Sequence, residues 1–330
     1  MKDKVSIVLA VYNEQAIIWE AIQSLLQQKS NGFEVEILVV DGNSDDGTKD
    51  LLKEIEAQSA GRVKYLFNQA RITPVAFNLG IKAASGNYIA IFGAHAEYAN
   101  DYLEVCLDEM QRTGAAGCSG VVIPKMKEMN RESELCLRIL SSPIGVSGRS
   151  FRTRESGFAE SIPYGVFRKD VFEKVGFYNE RLIRNQDNDM NYRINKAGYQ
   201  LYITGKTHAY YYPKSDLREL KRYAFKSGFW NAKSLKLGSY TLRFLHFVPF
   251  FFLLFNILLL GMLILTLVAD DFYLLIPLLA IYIFYWALVF IESRKQKFEF
   301  GINRWAFPWA VYVFHLNYGL GTLKGFFSKG

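Results

Sequence analysis

Between Phe244 and Ile291 the only Asp, Glu, Lys or Arg residues are Asp270 and Asp271. A run this apolar has no polar face to offer water, as a surface helix of a soluble domain must. It divides into residues 244–268 and 272–291, each near the ~20 residues that cross the hydrocarbon of a bilayer, with Asp270-Asp271 as a short turn between them. Arg243 flanks one side and Arg294, Lys295 and Lys297 the other, and Lys- and Arg-rich flanks stay cytoplasmic. The prediction is a transmembrane hairpin that starts and ends inside. A third apolar stretch, residues 305–327, contains Pro308, His315, Gly319 and Gly321, and its pattern leaves open whether it spans, re-enters or lies in the interface.

Upstream, residues 214–243 interleave Arg218, Lys221, Arg222, Lys226, Lys233 and Lys236 with Leu217, Leu220, Tyr223, Phe225, Phe229 and Trp230. A basic amphipathic helix with aromatic residues suits the surface of an anionic leaflet. Lipid headgroups thus account for the excess of 39 Lys+Arg over 32 Asp+Glu. No zinc-finger spacing or RNA-recognition signature points to nucleic acid. Met1-Lys2-Asp3-Lys4 leads into only a short apolar run, unlike a secretory signal, so residues 1–213 are expected to form a cytoplasmic domain. Cys106, Cys118 and Cys136 lack metal or redox spacing and read as buried apolar residues in a reducing compartment.

Within residues 1–213, short β-rich runs alternate with helical spacing: strand Val5–Val11, helix Ala16–Leu26, strands Val35–Val40 and Val63–Phe67, helix Pro74–Ala84, strand Tyr88–Phe92, helix Asp101–Arg112. This rhythm predicts an α/β fold with a parallel, doubly wound sheet, which binds ligands at the carboxyl ends of its strands. Asn13-Glu14, Asp41 and His95 fall at those ends. An Asp after a strand is also a common N-cap or turn residue. Neither G-x-G-x-x-G nor G-x-x-x-x-G-K-[ST] is present, so no dinucleotide fingerprint or P-loop explains the sheet.

The segments Ser6-Ile7-Val8-Leu9-Ala10-Val11-Tyr12-Asn13-Glu14, Val39-Val40-Asp41-Gly42-Asn43-Ser44-Asp45-Asp46-Gly47-Thr48, Asn78-Leu79-Gly80-Ile81 and Ala84-Ser85-Gly86-Asn87-Tyr88-Ile89 follow one another in that order. With Phe167-Arg168-Lys169, Val175-Gly176-Phe177-Tyr178-Asn179-Glu180 and Asp187, they resemble the family 2 inverting glycosyltransferases of the GT-A fold over residues 5–205. Gly93-Ala94-His95-Ala96-Glu97-Tyr98 and His315-Leu316-Asn317-Tyr318-Gly319-Leu320-Gly321 resemble its membrane-bound exopolysaccharide subgroup, typified by succinoglycan glucosyltransferase.

The resemblance implies a nucleotide-sugar site made by Val11, Tyr12, Glu14 and Asp41, with Asp41 accepting from uracil N3–H. A carboxylate suits an imide donor because the bond is charge-assisted. Arg71 stands where some members place Arg on the nucleotide, a surface Arg being the alternative, and Ala94 belongs to the same set. The family's D-x-D metal motif reads Gly93-Ala94-His95 here. His95 is thus the candidate ligand for a divalent ion, manganese suiting imidazole better than magnesium, with a structural hydrogen-bonding role as the alternative. The segment from Arg184 to Arg193 resembles the family's acidic stretch, with Asp187 as catalytic base and Gln186 where Glu is usual. An N-cap role for Asp187 is the alternative. Arg193 and Trp230 are assigned to the acceptor or membrane side, although Asp189 and Arg193 also have the i, i+4 spacing of a helix-face ion pair.

The expected protein is a multi-pass enzyme of the inner membrane with its catalytic domain facing the cytoplasm. It moves a sugar from a nucleotide donor, UDP-linked by resemblance, to a polyprenyl-linked saccharide during surface polysaccharide synthesis. Other polysaccharide-assembly enzymes are candidate partners. No Gln-x-x-Arg-Trp motif marks a processive polymerase. One rival reading, motivated by Gly93, His95 and Gln186, is a weak homologue serving as a nucleotide-sugar-binding or scaffold subunit. A transporter is disfavoured by the scarcity of ionisable groups in residues 244–291.

Overall fold

The computed structural model describes residues 3–126, 128–145, 156–213, 216–239, 244–269 and 272–328. Arg243, Asp270 and Asp271, on which the flank and turn of the expected hairpin rest, lie outside them. In chain order the elements are β1 (Asp3–Val11), α1 (Ile18–Leu26), β2 (Phe33–Asp41), α2 (Thr48–Gln58), β3 (Val63–Phe67), α3 (Thr73–Ala83), β4 (Tyr88–Gly93), β5 (Ala96–Tyr98), α4 (Tyr102–Thr113), β6 (Gly117–Pro124), α5 (Arg131–Ser141), β7 (Gly157–Ala159), β8 (Val166–Arg168), α6 (Lys169–Val175), α7 (Gln186–Lys196), β9 (Leu201–Tyr211), α8 (Leu217–Lys236), α9 (Val248–Ala269), α10 (Ile276–Lys295) and α11 (Ala306–Phe327). They group into two compact units, residues 1–124 with 151–212, and residues 125–150 with 213–330.

The first unit is built on a sheet in the order β3-β2-β1-β4-β8-β6-β9-β5, with β7 paired to β9. The expected parallel arrangement holds for β3, β2, β1 and β4, whereas β8 then pairs antiparallel to β4. The sheet is therefore mixed. Strands as short as β8 carry too few residues for a periodic signal, which is why the sequence did not reveal them.

Alternate residues of the central strands feed two cores. Val5, Ile7 and Leu9 meet Ile18, Ile22 and Leu25 of α1 and Tyr102, Leu103 and Cys106 of α4. Val8, Leu38 and Val40 meet Phe77 and Ile81 of α3 and Met190 and Ile194 of α7 on the other face. Burial on both faces is why β1 and β2 read as continuous apolar runs. Gly80 lets α3 lie directly on β1, since a Cβ there would stand 2.3 Å from Val8 Cγ1. Cys106, Cys118 and Cys136 are buried free thiols.

The Ser85-Gly86-Asn87 motif lies toward the amino ends of the strands, away from the ligand-binding edge. Glu36 Oε1 accepts from Ser6 Oγ at 2.6 Å, Ser85 N at 2.7 Å and Ser85 Oγ at 2.8 Å. Lys4 and Lys64 stand 3.3 and 3.5 Å from Oε2. Burial alone would raise the pKa of Glu36, but these hydrogen bonds outweigh it and hold the carboxyl at about 2, below its ordinary 4.5. The stabilisation is complete above the unfolded-state value and is lost as pH falls from about 4.5 toward 2. Glu36→Gln is expected to cost on the order of 3 kcal/mol at neutral pH, with melting curves of variant and wild type converging near pH 2. An equal gap in melting temperature at both pH values would refute this.

In the second unit, α5 opens with a capping box in which Asn130 Oδ1 accepts from Ser133 N at 2.9 Å and Asn130 N donates to Ser133 Oγ at 2.7 Å. Residues 125–150 were expected inside the 1–213 domain. Instead Leu135, Cys136, Ile139 and Leu140 of α5 share a core with Leu220 and Ala224 of α8 and Phe307, Val311 and Phe314 of α11. The fully buried Glu134 carboxylate accepts from Glu299 N at 2.8 Å and Phe300 N at 3.0 Å, which fixes the α10–α11 connection.

The span Phe244–Val268 and helix α10 are each long and apolar enough to cross a membrane. Their side chains, among them Leu258, Ile264, Ile283 and Phe284, remain exposed. Helix α10 begins four residues later than the expected start at Phe272 because Pro277 falls in its first turn, where Pro is favoured. The third apolar stretch is helix α11, and it buries ten residues within the unit. Its backbone meets α8 at Gly321 and Gly325, where added Cβ atoms would lie 2.0 Å from Phe225 O and 2.4 Å from Phe229 O.

Candidate active site

Val11 ends β1 and Asp41 ends β2 as register partners. The loops that follow are laced together. Asn13 N donates to Ser44 Oγ at 2.9 Å, Asn13 Nδ2 to Asp45 Oδ1 at 2.8 Å, Glu14 N to Thr48 Oγ1 at 2.8 Å and Gln15 N to Asp46 Oδ2 at 3.1 Å. Short polar side chains are needed because each one pairs with a main-chain or loop partner at close range.

Asp41 is fully buried. Its Oδ1 accepts from Ser44 Oγ at 2.5 Å, and its Oδ2 accepts from the Tyr65 hydroxyl at 3.3 Å. Burial, together with the Asp41 charge, pushes the Tyr65 hydroxyl up to about 12. Tyr12 is 45% exposed, and the Arg71 guanidinium lies 5.9 Å from its ring centroid. An exposed aromatic face beside a cation makes a stacking surface.

At the end of β4, Gly93 N donates to the Tyr98 hydroxyl at 2.8 Å and the chain reverses into β5. Ala94 is buried in this turn. The His95 side chain is 60% exposed, and its Nε2 lies 2.7 Å from Glu14 Oε1. Two residues expected to serve nucleotide and metal are thus a direct pair. Among the described residues no group of three or more His, Cys, Asp and Glu forms a metal cluster. A divalent ion at His95 and Glu14 would draw its other ligands from elsewhere.

Asp187 stands in the first turn of α7, where Asn188 N donates to its Oδ1 at 2.9 Å. Water reaches the carboxylate, yet enough protein crowds it to strip hydration, and this desolvation raises its pKa above the ordinary aspartate range. Asp187 borders a cleft of about 220 Å³ whose wall also includes Gly93, Tyr164, Tyr178, Gln186 and Asn191. The end of β4 and the start of α7 therefore face one space.

Two residues grip the loop leading to α7. Asn78 Nδ2 donates to Tyr178 O and Glu180 Oε1, each at 2.9 Å, and Asn78 Oδ1 accepts from Tyr178 N at 2.8 Å. Arg193 donates to Asp189 Oδ2, Val175 O and Phe177 O, each at 2.9 Å. These bonds make Arg193 a structural tie, in line with its i, i+4 spacing to Asp189. Trp230 belongs to the second unit, where Lys233 Nζ lies 5.2 Å from its ring centroid.

Non-glycine residues with positive φ mark the same region. Among the described residues these are Asn13, Asn43, Ala60, Arg71, Tyr164 and Asn185. All but Ala60 adjoin the loops or the cleft just described. Such conformations cost energy and concentrate at functional sites. Tyr164 and Asn191 gave no sequence signal, since a left-handed Tyr and a buried amide have no motif.

The profile of the family described as "Glycosyl transferase family 2" matches residues 6–176, just over half of the chain. The chain belongs to glycosyl transferase family 2. This family 2 glycosyltransferase is 27% identical over 328 residues, covering 97% of it and 96% of the relative, to dolichyl N-acetyl-alpha-D-glucosaminyl phosphate 3-beta-D-2,3-diacetamido-2,3-dideoxy-beta-D-glucuronosyltransferase of Methanococcus voltae. It is 30% identical over 231 residues, 69% of each chain, to the succinoglycan biosynthesis protein ExoA of Rhizobium meliloti (strain 1021). The crystal structure of GalNAc-T7 with UDP, GalNAc and Mn2+ shares its fold, with a TM-score of 0.51, 14% identity and coverage of 73% of this chain and 52% of that one. The transferase thus has the GT-A fold and transfers a sugar from a nucleotide donor.

Proposed function

We propose that this family 2 transferase moves a sugar from a UDP-linked donor to a lipid-linked saccharide at the cytoplasmic face of the inner membrane, with inversion and with Asp187 as base. The observation that carries the reading is the single cleft shared by Gly93 at the end of β4 and Asp187 at the start of α7. Asp187 takes the proton of the acceptor hydroxyl as that oxygen attacks the anomeric carbon. The bond from that carbon to the diphosphate breaks on the opposite side, and UDP leaves. The raised pKa of Asp187 makes it a stronger base than an ordinary aspartate.

Tyr12 and Arg71 offer the uracil a stacking face. Asp41 accepts its imide proton once the long 3.3 Å bond from Tyr65 yields. The imidazole and carboxylate of His95 and Glu14 fit a divalent ion of the manganese kind, and such an ion would neutralise the leaving diphosphate. The relative from Methanococcus voltae, named for a dolichyl phosphate acceptor, supports a lipid-linked acceptor, and the two exposed apolar helices support the membrane setting.

Inside-out membrane vesicles carrying the protein should transfer label from one of a panel of UDP-sugars into an organic-solvent lipid extract, whereas sealed right-side-out vesicles should not. Chelator should stop incorporation and manganese should restore it, and His95→Ala should weaken that restoration. Equal labelling from both vesicle types would overturn the orientation. Undiminished labelling in chelator would remove the metal role, and no labelling from any donor would favour a binding or scaffold subunit.

A further inference from the structure

The wall of the cleft beside Asp187 holds two buried oxygens that hydrogen-bond to nothing among the described residues, Asn191 Oδ1 and Gln186 Oε1. The orientation of the Asn191 amide is fixed, because its Nδ2 donates to Ser161 Oγ at 3.0 Å and to Ile162 O at 3.1 Å. Its Oδ1 is thus the atom left over, on a residue only 3% exposed. Buried acceptors without donors are rare in folded proteins and call for a partner. Both residues sit on α7, within one turn of Asp187.

Much of the rest of the wall is apolar, with Asp187, Tyr164 and Tyr211 among its other members. Phe77, Ile91, Ile162, Met190 and Tyr178 line it, and they leave a surface that a sugar's hydroxyl groups alone would not cover favourably. The complementary group presents an N–H donor next to a small apolar cap. An acetamido substituent is that group, its single N–H donating to one orphaned oxygen, a neighbouring sugar hydroxyl donating to the other, and its methyl facing the apolar side chains. A plain hydroxyl would satisfy an oxygen and leave the apolar wall against water.

We infer that the sugar transferred from the donor carries an acetamido group, bound by Asn191 and Gln186. The inference rests on the UDP-sugar reading of this site and narrows its substrate class. A site built around a hydrogen-bonding group discriminates strongly against an analogue that lacks it, because its own polar atoms are then left unpaired.

The test is binding of UDP, UDP-N-acetylglucosamine and UDP-glucose to the full-length protein in detergent. Titration calorimetry gives the affinities, and saturation-transfer NMR reads the acetyl methyl. The expected results are a tenfold or greater preference for the acetamido sugar over UDP-glucose and strong saturation of its methyl. Asn191→Leu should collapse the preference toward onefold while leaving UDP affinity as in wild type. Gln186→Met, which keeps the side-chain length and removes the acceptor oxygen, should lessen the preference and serves if Asn191→Leu fails to fold. Equal affinities for the two sugars, or an unsaturated methyl, would overturn the inference while the UDP-sugar reading stands. Failure of UDP and both sugars to bind would overturn that reading and this inference with it.

Discussion

Asp187→Asn should lower sugar transfer by a factor on the order of 100 or more, the scale of a lost general base, while UDP affinity stays at the wild-type value. The two measurements separate chemistry from binding, because Asp187 lies at the cleft and not among the loops that hold Tyr12, Asp41 and Arg71. The sign of its pKa shift gives two further readouts. The carboxylate works only when ionised, so activity should fall as pH drops through a value above the ordinary aspartate range. A group whose folded-state pKa is raised makes the fold less stable as pH climbs through that value. Asparagine removes this penalty, so the variant should melt no lower than wild type at neutral pH. An inactive variant that also melts lower would signal a structural role, and near wild-type transfer would remove Asp187 as the base. A catalytic group that weakens the fold carrying it is a familiar trade-off between activity and stability.

Gly321→Ala should destabilise the second unit by about 3 kcal/mol or more, the upper end of ordinary overpacking costs. The added Cβ would fall 2.0 Å from Phe225 O, and a backbone carbonyl within α8 cannot rotate aside as a side chain can. The helices would have to separate along their whole contact, which includes Gly228 and Gly325. Gly261→Ala on α9 is the matched control, since nothing lies within 4 Å of its added Cβ, and it should leave the melting temperature in detergent within error of wild type. Equal melting of both variants would show that α8 and α11 do not approach each other as described.

The elements that repeat a pattern were legible before the structure. Val63–Phe67 was predicted at its observed bounds, and β1, β2, β4, α3 and α4 within two residues at each end. Each presents several residues to one core, so burial writes its period into the chain. The order of the family motifs and the acidic start of α7 could also be read from the sequence, because both are carried by short contiguous segments. The loop residues Asn13, Ser44, Asp45 and Thr48 could be read as turn formers, but their cross-lacing could not.

What the sequence determined by itself was the set of local choices: which segments are strands, which are helices, which are too apolar for water, and which carboxylates stand at strand ends. Tertiary structure alone decided which of these meet. It paired His95 with Glu14, drew α5 into the second unit, turned Arg193 into a tie on the 175–177 backbone, and put beside Asp187 two amide oxygens that have no partner among the described residues. The reason is physical. Periodicity and turn chemistry act between near neighbours in the chain, whereas Arg193 reaches 16 to 18 positions back, His95 reaches Glu14 81 positions away, and Glu134 meets the Glu299 amide 165 positions away. They are set by how whole elements pack, and packing leaves no pattern in the linear order.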